Sequence, residues 1–321
     1  GDVYKRQNIP SKIFSQLPLQ PELSKISAIF LFESDMKIFK GEIEINNELG
    51  LAMSGEFNLE RKIDYFQLHS LGLSGNDATL NIKGMYENYG RFNGTIELAK
   101  LDISQWITRG NKTNLSGYIL IDGDFIDNQI SAIDMNVEIS ESYLFDNQPS
   151  SISGGISYRG FQLDITNPLT LTIGPSLVEV RGSSDFNRDS LDLNLLLTDA
   201  STFLINNFWS DSLSGGKATG SMSLYGPFKS LGINADLVIN KFEYENISLS
   251  SFEFVGKVDN LNDFSDGFFK LKFGKGLWNG YGFENGTAQI VLSDTMIEVS
   301  SFELKNYDDY LQFNGSISKD T

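Results

Sequence analysis

The sequence has no cysteine and a single histidine, His69, among its 321 residues. Without cysteine the chain forms no disulfide and has no thiolate ligand for a metal ion. Nucleophilic catalysis of the Ser-His-Asp or Cys-His type needs a histidine beside the nucleophile, and this chain has one histidine and no cysteine for such a site. No carboxylate pair stands in a recognisable catalytic setting, and no phosphate-binding glycine loop occurs. We therefore predict a protein that is not an enzyme and that uses no cofactor and no metal ion.

Positive charge and long apolar runs are also scarce. The chain has 25 Lys and Arg against 42 Asp and Glu, which gives a formal net charge of −17. The acids are scattered, as is typical of a solvated outer face. A nucleic-acid partner needs a basic stripe, so the composition argues against one. The best apolar run, Ile26–Phe32, is far shorter than the roughly 18 residues of a membrane-spanning helix.

One short pattern recurs along the chain: an apolar residue, any residue, glycine, any residue and a second apolar residue. Alternate residues of a strand point to the same face, so the pattern places the glycine on the apolar face. Glycine weakens a strand and has no side chain to pack, so its repetition calls for a physical reason. The clear copies are centred on Gly41, Gly55, Gly84, Gly94, Gly117, Gly154, Gly220, Gly256 and Gly315.

Around these glycines, apolar and polar residues alternate with a period of two, as in "GEIEINNELGLAMSGEFNLE". This alternation is the signal of a β-strand. Asn, Asp, Gly and Ser occupy the gaps, where turns require them. Strand follows strand with little helix between, which favours an antiparallel meander with one polar and one apolar face. The sequence therefore predicts an all-β chain.

Two segments interrupt the alternation and are predicted to be short connector helices, Asp102–Ile107 and Ser201–Trp209. Asp or Ser side chains are suited to cap them. A motif glycine follows each connector, and these two glycines, Gly117 and Gly220, are 103 residues apart. A long internal repeat of this kind indicates an array of stacked units.

The expected domain organisation follows from the connectors. Residues 1–8 begin with "GDVYKRQ", which resembles an adapter-derived leader, and we expect them to be non-native. Residues 9–106 are predicted to form one sheet segment. Residues 107–321 are predicted to form a second segment that carries the repeat of about 103 residues and continues beyond this chain.

Two interpretations of the motif glycines stay open. The first is local geometry, because glycine in a strand often marks a bulge or a bend, and a curved sheet needs such kinks. The second is clearance: glycines on an apolar trough leave room for a ligand. The chain has 24 phenylalanines, and large rings beside glycine fit a closed core poorly. They suit a surface that accepts mobile acyl chains.

The stretch from Ser201 to Ile239 carries the most specific likeness to known proteins. A connector is followed by "GSMSLYGP", which has the form Gly-x-apolar-x-apolar-x-Gly-Pro, and then by the alternating strand "INADLVI". This arrangement resembles the TamB and AsmA-like family, which includes the inner-membrane component of the translocation and assembly module. The earlier copy, Gly117–Phe125, is similar but has Asp124 in place of the proline.

The resemblance implies an elongated, twisted, U-shaped sheet with an open hydrophobic groove. It also implies a non-enzymatic conduit that carries phospholipid between the inner and outer membranes and supports outer-membrane biogenesis. The expected location is the periplasm, with an inner-membrane anchor in the full-length protein that this chain lacks. The expected partners are phospholipid acyl chains and, through a C-terminal region outside this chain, an outer-membrane assembly barrel.

Residues of the motif and of the alternating strands are expected to line the groove, since they share the apolar parity. They are Phe39, Gly41, Ile43, Met53, Phe57, Phe92, Ile96, Ile119, Ile156, Gly220, Met222, Leu224, Leu237, Ile239, Phe252, Phe254, Gly256, Val258, Phe313 and Ile317.

Two other classes of protein share the two-residue alternation. An outer-membrane β-barrel points its apolar face outward and carries aromatic girdles, and the connectors and the irregular motif spacing fit it poorly. A structural or adhesive β-solenoid has a closed interior without ligand. Solubility without detergent would separate the conduit from the barrel, and lipid that co-purifies would separate it from the solenoid.

Overall fold

The structure is a computed structural model that describes residues 5–8, 26–35, 37–47, 52–105, 113–126, 129–144, 148–201, 215–262 and 265–319. Nearly all of these residues lie in antiparallel strands, and the one helical element among them is a 3-10 turn, Ile103–Gln105. The predicted all-β class is confirmed. The chain divides into two compact units, residues 1–174 and 175–321.

The first unit is a meander in which each strand pairs antiparallel with the next one in sequence. Its strands are β1 (Lys5–Asn8), β2 (Ile26–Ser34), β3 (Ile38–Asn47), β4 (Ala52–Arg61), β5 (Tyr65–Gly75), β6 (Ala78–Glu87), β7 (Arg91–Leu101), β8 (Asn114–Ile126), β9 (Gln129–Leu144), β10 (Gln148–Arg159) and β11 (Gln162–Ile173).

The second unit is also an antiparallel meander, with one small hairpin added. Its strands are β12 (Ser176–Asp185), β13 (Ser190–Ser201), β14 (Lys217–Gly226), β15 (Gly232–Tyr244), β16 (Ile247–Asn260), β17 (Ser265–Phe273), β18 (Gly276–Trp278), β19 (Tyr281–Phe283), β20 (Asn285–Leu292), β21 (Met296–Asn306) and β22 (Asp309–Ser318). The hairpin β18–β19 lies beside the start of β16, while β17 pairs directly with β20.

Tight turns join the strands, as the Asn, Asp and Gly of the gaps predict. Asn76 and Asp77, between β5 and β6, have φ of 51° and 66°. Asn279 and Gly280, between β18 and β19, have φ of 49° and 84°. Two consecutive residues with positive φ are the signature of a type I′ turn, whose twist matches that of the strands it joins.

Each unit buries part of its apolar face in a cluster of its own. The cluster of the first unit contains Ile43, Met53, Leu73, Ala78, Leu80, Leu101, Leu115 and Ile139. That of the second unit contains Leu197, Ala200, Ala218, Ala235, Leu237 and Ile239. Burial of each Leu, Ile or Met side chain contributes about 1.5–3 kcal/mol to stability, so these clusters hold each meander together.

The strands that lead into the two connectors end in the same way. The pairing register shifts between Leu98 and Leu101, and again between Leu197 and Ala200. Within each shift one residue has positive φ, and its N–H donates to a hydroxyl on the strand that follows the connector. Lys100 donates to Ser116 Oγ at 3.1 Å and Asp199 to Thr219 Oγ1 at 3.2 Å. The hydroxyls stabilise backbone groups that the bulges leave out of the ladder.

The first connector begins with a helical turn, as predicted, over the part that is described. Its helical residues are Ile103–Gln105, and Asp102 Oδ1 accepts hydrogen bonds from the N–H groups of Ser104 at 3.0 Å and Thr113 at 3.1 Å. Asp102 therefore caps the turn, as expected. Residues 106–112 lie outside the described residues, as does the second predicted connector beyond Ser201.

The expected domain limits stay predictions. Trp106, near which a segment boundary is predicted, lies outside the described residues. The non-native origin of residues 1–8 is not tested by their conformation, in which Lys5–Asn8 pair with β2.

Some motif glycines stand where the backbone of the next strand occupies the space of a side chain. Gly220 has φ of +145°, and a Cβ atom built on it would lie 2.0 Å from the carbonyl oxygen of Asp236. Gly117 has φ of +151°, with the carbonyl oxygen of Glu138 at 2.2 Å from the same point. Since no other residue fits there, local geometry explains these two glycines.

We expect Gly220→Val to lower the free energy of unfolding by roughly 2–4 kcal/mol, because the strand must move and the backbone is strained. Gly315→Val is the matched control in the same motif, since no atom lies within 4 Å of a Cβ built there. It should change stability by less than about 0.5 kcal/mol. Urea denaturation followed by circular dichroism measures both values, and equal losses would contradict the steric argument.

Candidate functional site

One face of the second unit carries unbroken rows of apolar residues that pass from strand to strand. The register puts Leu237 opposite Phe254 and Phe254 opposite Leu271. The complete row consists of Val178, Leu197, Gly220, Leu237, Phe254, Leu271, Ala288, Phe302 and Phe313. In-register pairing thus turns a local alternation into a continuous apolar surface.

Strand β16 shows how strongly the two faces differ. On the apolar face, Val258 is 1% exposed and Phe254 is half-buried. Val255, which is equally apolar, lies on the opposite face and is 37% exposed. Its register partners there are Asp236 and Lys270. Strand parity, and not hydrophobicity, therefore decides which residues belong to the apolar face.

The opposite face of the second unit carries its charges. Lys272 Nζ lies 2.8 Å from Glu253 Oε2, and this hydrogen bond raises the pKa of Lys272. Lys257 Nζ lies 2.7 Å from Asp259 Oδ1, and this contact is the main cause that lowers the pKa of Asp259. Such solvated pairs contribute little to stability, but they keep the outer face polar.

Phenylalanine rings form a continuous line on the apolar face, which we call the phenylalanine track. Its rings are Phe242, Phe252, Phe273, Phe302 and Phe313, and successive ring centroids are 5.0, 5.8, 6.3 and 4.5 Å apart. These distances are typical of favourable aromatic pairs. Phe313, on β22, is 45% exposed, and the other four rings are half-buried.

The contact between Phe273 and Phe302 depends on two small residues. Strand β20 lies between β17 and β21, yet the two rings meet over it. Gly286 is opposite Phe273, and Ala288 is opposite Phe302. A Cβ atom at Gly286 would lie 2.4 Å from Leu304 Cδ2 and 3.0 Å from Phe273 Cδ2. A larger residue there would separate the rings.

Gly256 has a related role, which refines the clearance interpretation of the motif. A Cβ atom there would lie 2.5 Å from Phe269 Cδ1 and 2.9 Å from Phe254 Cζ. The space that glycine leaves is thus filled by the rings of neighbouring strands, as in the aromatic covering of glycines in designed sheets. At Gly256 the room serves the protein's own rings.

The first unit has apolar rows of the same kind. One row consists of Ile43, Gly55, Leu73, Leu80, Leu98, Gly117, Ile139, Ile152 and Leu171. Among the described residues of this unit, aromatic contacts are fewer: Phe92 and Phe125 have ring centroids 5.0 Å apart, and Tyr86 lies edge-on to Phe125 at 6.2 Å. Its apolar face is therefore mainly aliphatic.

The register puts the predicted lining residues of each unit on its apolar parity. In the first unit they are Phe39, Gly41, Ile43, Met53, Phe57, Phe92, Ile96, Ile119 and Ile156. In the second unit they are Gly220, Met222, Leu224, Leu237, Ile239, Phe252, Phe254, Gly256, Val258, Phe313 and Ile317. That these residues contact a ligand stays a prediction.

Burial separates these residues into two groups. Ile43, Met53 and Val258 are only 4%, 3% and 1% exposed, so they act as core. Half-buried rings such as Phe254 and exposed ones such as Phe313 form the accessible part of the surface.

Sequence reasoning missed several residues of the phenylalanine track. Phe273 and Phe302 belong to strands without a clear copy of the glycine motif, so a search for that motif passes over them. Phe242 lies beside Lys241, whose φ of +56° shifts the alternation by one residue. The simple alternation of "FFKLKF", which ends at Phe273, was the signal that could have found that ring.

The described residues contain neither a candidate metal site nor a candidate membrane-spanning helix. Within the described ranges, no group of three or more His, Cys, Asp or Glu side chains is placed to hold a metal ion. No helix among the described residues has the length and apolar character needed to cross a membrane.

Comparison with known proteins gives one match. The family described as "TamB, N-terminal domain" matches residues 41–318, which is most of the chain and includes both units. No curated protein and no solved structure matches the chain.

The contact across β20 is testable with a double-mutant cycle. We expect Phe273→Leu and Phe302→Leu to show a coupling of about 0.5–1.5 kcal/mol in urea denaturation, the usual range for an aromatic pair. In a Gly286→Val background the coupling should fall to about zero, because the valine displaces the ring of Phe273. The pair Phe302–Phe313 is the control and should keep its coupling. An unchanged Phe273–Phe302 coupling would refute the role of Gly286.

Proposed function

The chain belongs to the TamB N-terminal domain family, and from this premise we propose that it is a non-enzymatic segment of a conduit for phospholipid. The conduit would carry phospholipid between the inner and outer membranes and so support outer-membrane biogenesis. This protein would work in the periplasm, with an inner-membrane anchor in the full-length protein. An outer-membrane assembly barrel is the proposed partner at its other end.

The observation that carries the proposal is the phenylalanine track on a sheet face whose reverse side is polar. The rings of Phe242, Phe252, Phe273 and Phe302 are half-buried, so part of each ring is accessible to a ligand. When an acyl chain lies on the track, each methylene that it buries stabilises the complex by about 0.8 kcal/mol. The glycerol and headgroup would remain at the solvated rim.

Uniformity of the surface is what a conduit needs in addition to affinity. A ligand that bound one point much more tightly than the next would stay there. The rows repeat the same chemistry from strand to strand, as the positions of Leu237, Phe254 and Leu271 illustrate. An acyl chain that moves by one strand therefore exchanges one set of apolar contacts for an equivalent set, with a small change in free energy.

The proposal is tested by photo-crosslinking in cells at two neighbouring positions. A crosslinking amino acid at Phe254 should capture phospholipid, because that side chain belongs to the apolar face. The same amino acid at Val255 should not, because its side chain points to the polar face, where it is 37% exposed. Mass spectrometry of the adducts gives the result.

The pair of positions controls for expression and for reactivity, since they are adjacent in one strand. Lipid adducts of similar yield at both positions would show that parity does not govern the contact. A lack of adducts at both positions would refute the conduit and favour a closed structural core.

A further inference from the structure

Four successive turns along one edge of the first unit each carry an exposed hydrophobic residue. In an antiparallel meander every second turn lies at the same edge of the sheet, so the turns that follow β4, β6, β8 and β10 share one edge. We call their hydrophobic residues the edge tips. With exposed fractions of 91%, 89%, 62% and 50%, they are Ile63, Tyr89, Ile126 and Phe161.

Hydrogen bonds between neighbouring turns fix the positions of the first three edge tips. The side-chain amide of Asn88 donates to the carbonyl oxygen of Ile63 at 2.9 Å, and its backbone N–H donates to the carbonyl oxygen of Asp64 at 2.8 Å. The N–H of Phe125, next to Ile126, donates to the carbonyl oxygen of Gly90 at 2.8 Å. These turns therefore form one connected edge and not a set of independent loops.

The fourth tip, Phe161, occupies a position where the turn favours a different residue. Gly160 and Phe161 join β10 to β11 with φ of 56° and 69°. Positive φ at both central residues defines a type I′ turn, in which Asn, Asp and Gly are preferred. A bulky side chain with positive φ strains the backbone, and half of this ring faces water. The fold itself thus gives no reason for a phenylalanine at this site.

The part of the apolar face that lies nearest to the edge tips is aromatic. Its outermost row across the sheet includes Phe66, Tyr86, Phe92 and Tyr158. The ring of Phe125 contacts two of these rings, at 5.0 Å from Phe92 and 6.2 Å from Tyr86. Aromatic rings with a polar end are enriched where a membrane meets water. The edge tips and this row together give the edge the composition of a membrane interface.

The charge of the edge also differs from that of the whole chain. The four turn stretches contain four basic and four acidic residues, whereas the whole chain has 25 and 42. The stretches are residues 60–65, 87–91, 126–129 and 159–162. The edge thus lacks the acidic excess that would repel an anionic surface.

An arginine stands two residues from each of three tips, at Arg61, Arg91 and Arg159. The side chains of Arg91 and Arg159 are 57% and 60% exposed, and they pair with Asp122 and Asp134. Exposed pairs of this kind contribute little to stability. Each arginine can therefore exchange its carboxylate for a phosphate, to which it forms two parallel hydrogen bonds.

We propose that this edge of the first unit docks on the surface of a phospholipid bilayer. The four edge tips enter the boundary between headgroups and acyl chains, and the arginines beside them bind lipid phosphates. The aromatic row then lies at the level of the headgroups, so the apolar face of the unit begins where the acyl chains end. This inference goes beyond the conduit, because it adds the bilayer itself as a binding partner and does not require transport.

The spacing of the edge tips favours a bilayer over a protein partner. Two strands separate successive tips, which corresponds to about 10 Å, and polar residues lie between them. A stable protein interface has a contiguous, closely packed core. A fluid bilayer instead surrounds each tip separately, while long basic side chains reach up to the phosphates.

The proposal is tested by flotation of the purified chain with vesicles of phosphatidylcholine and a minor fraction of phosphatidylglycerol. We expect Tyr89→Ser combined with Phe161→Asn to lower the partition coefficient about tenfold, because two tips lose their burial in the bilayer. Phe161→Asn alone should also weaken binding, yet it should raise the urea midpoint, since Asn is preferred at positive φ. Weaker binding by a more stable variant excludes misfolding as the cause.

Tyr307 supplies the matched control. It is 82% exposed in the turn between β21 and β22 of the second unit, with φ of 53°. Tyr307→Asn should therefore relieve the same kind of strain and leave vesicle binding unchanged. An equal loss of binding in this variant would mean that exposed rings bind vesicles wherever they lie, which overturns the assignment to this edge.

A fluorescent label shows which edge of the first unit enters the bilayer. The chain has no cysteine, so one introduced cysteine can carry an environment-sensitive fluorophore. On addition of vesicles, the label at Ile63→Cys should shift to the blue and brighten. The label at Asp77→Cys, in the turn between β5 and β6 at the opposite edge, should not change. Equal shifts at both positions, or none at Ile63→Cys in the bound chain, would contradict the proposed orientation.

The outcomes keep docking apart from the conduit. If the folded chain binds lipid molecules but does not float with vesicles, docking is overturned and the conduit stands. If it floats through the edge tips but extracts no lipid, docking stands and the conduit is refuted. Light scattering tests a second copy of the chain as the occupant. Association of the chain with itself that the double variant abolishes would make this edge a contact between copies and overturn the bilayer assignment.

Discussion

In-register pairing of antiparallel strands is the constraint on which every other feature of this protein depends. A slip of one residue would move all side chains of a strand to the other face. At Gly220 such a slip is opposed sterically, because the carbonyl oxygen of Asp236 lies 2.0 Å from the position of a Cβ atom. The residue that replaced it in the register would bring a side chain into that space. Such glycines weaken a strand, yet they help to specify which face is apolar.

The motif glycines have no single role, although they share one sequence pattern. Gly117 and Gly220 admit the backbone of the adjacent strand. Gly256 lies under the rings of Phe254 and Phe269, and it lets the apolar surface stay continuous. Gly315 has no atom within 4 Å of a Cβ position, so neither reason applies to it. Local geometry is therefore realised at Gly117 and Gly220, the room at Gly256 is filled by the protein's own rings, and clearance for a ligand stays a prediction.

In the second unit, one face carries the aromatic rings of the track and the other face carries ion pairs. Its phenylalanine track consists of similar rings at similar spacing, which suits a ligand that must move. Its ion pairs stand on the reverse face, as at Glu253 and Lys272. A polar group on the track would hold a passing headgroup or repel an acyl chain.

The sequence by itself determined the all-β class, the antiparallel order and the face on which each residue of a regular strand lies. The opposite placements of Phe254 and Val255 follow from alternation alone, because successive side chains of any strand point to opposite faces. Only the tertiary structure decided that Phe273 meets Phe302 over Gly286 and that rings cover Gly256. These contacts join residues on different strands, and the small hairpin β18–β19 and the φ of Lys241 alter the spacing between them. Alternation is a property of neighbours in sequence, whereas ring contacts depend on which strands pair and in which register.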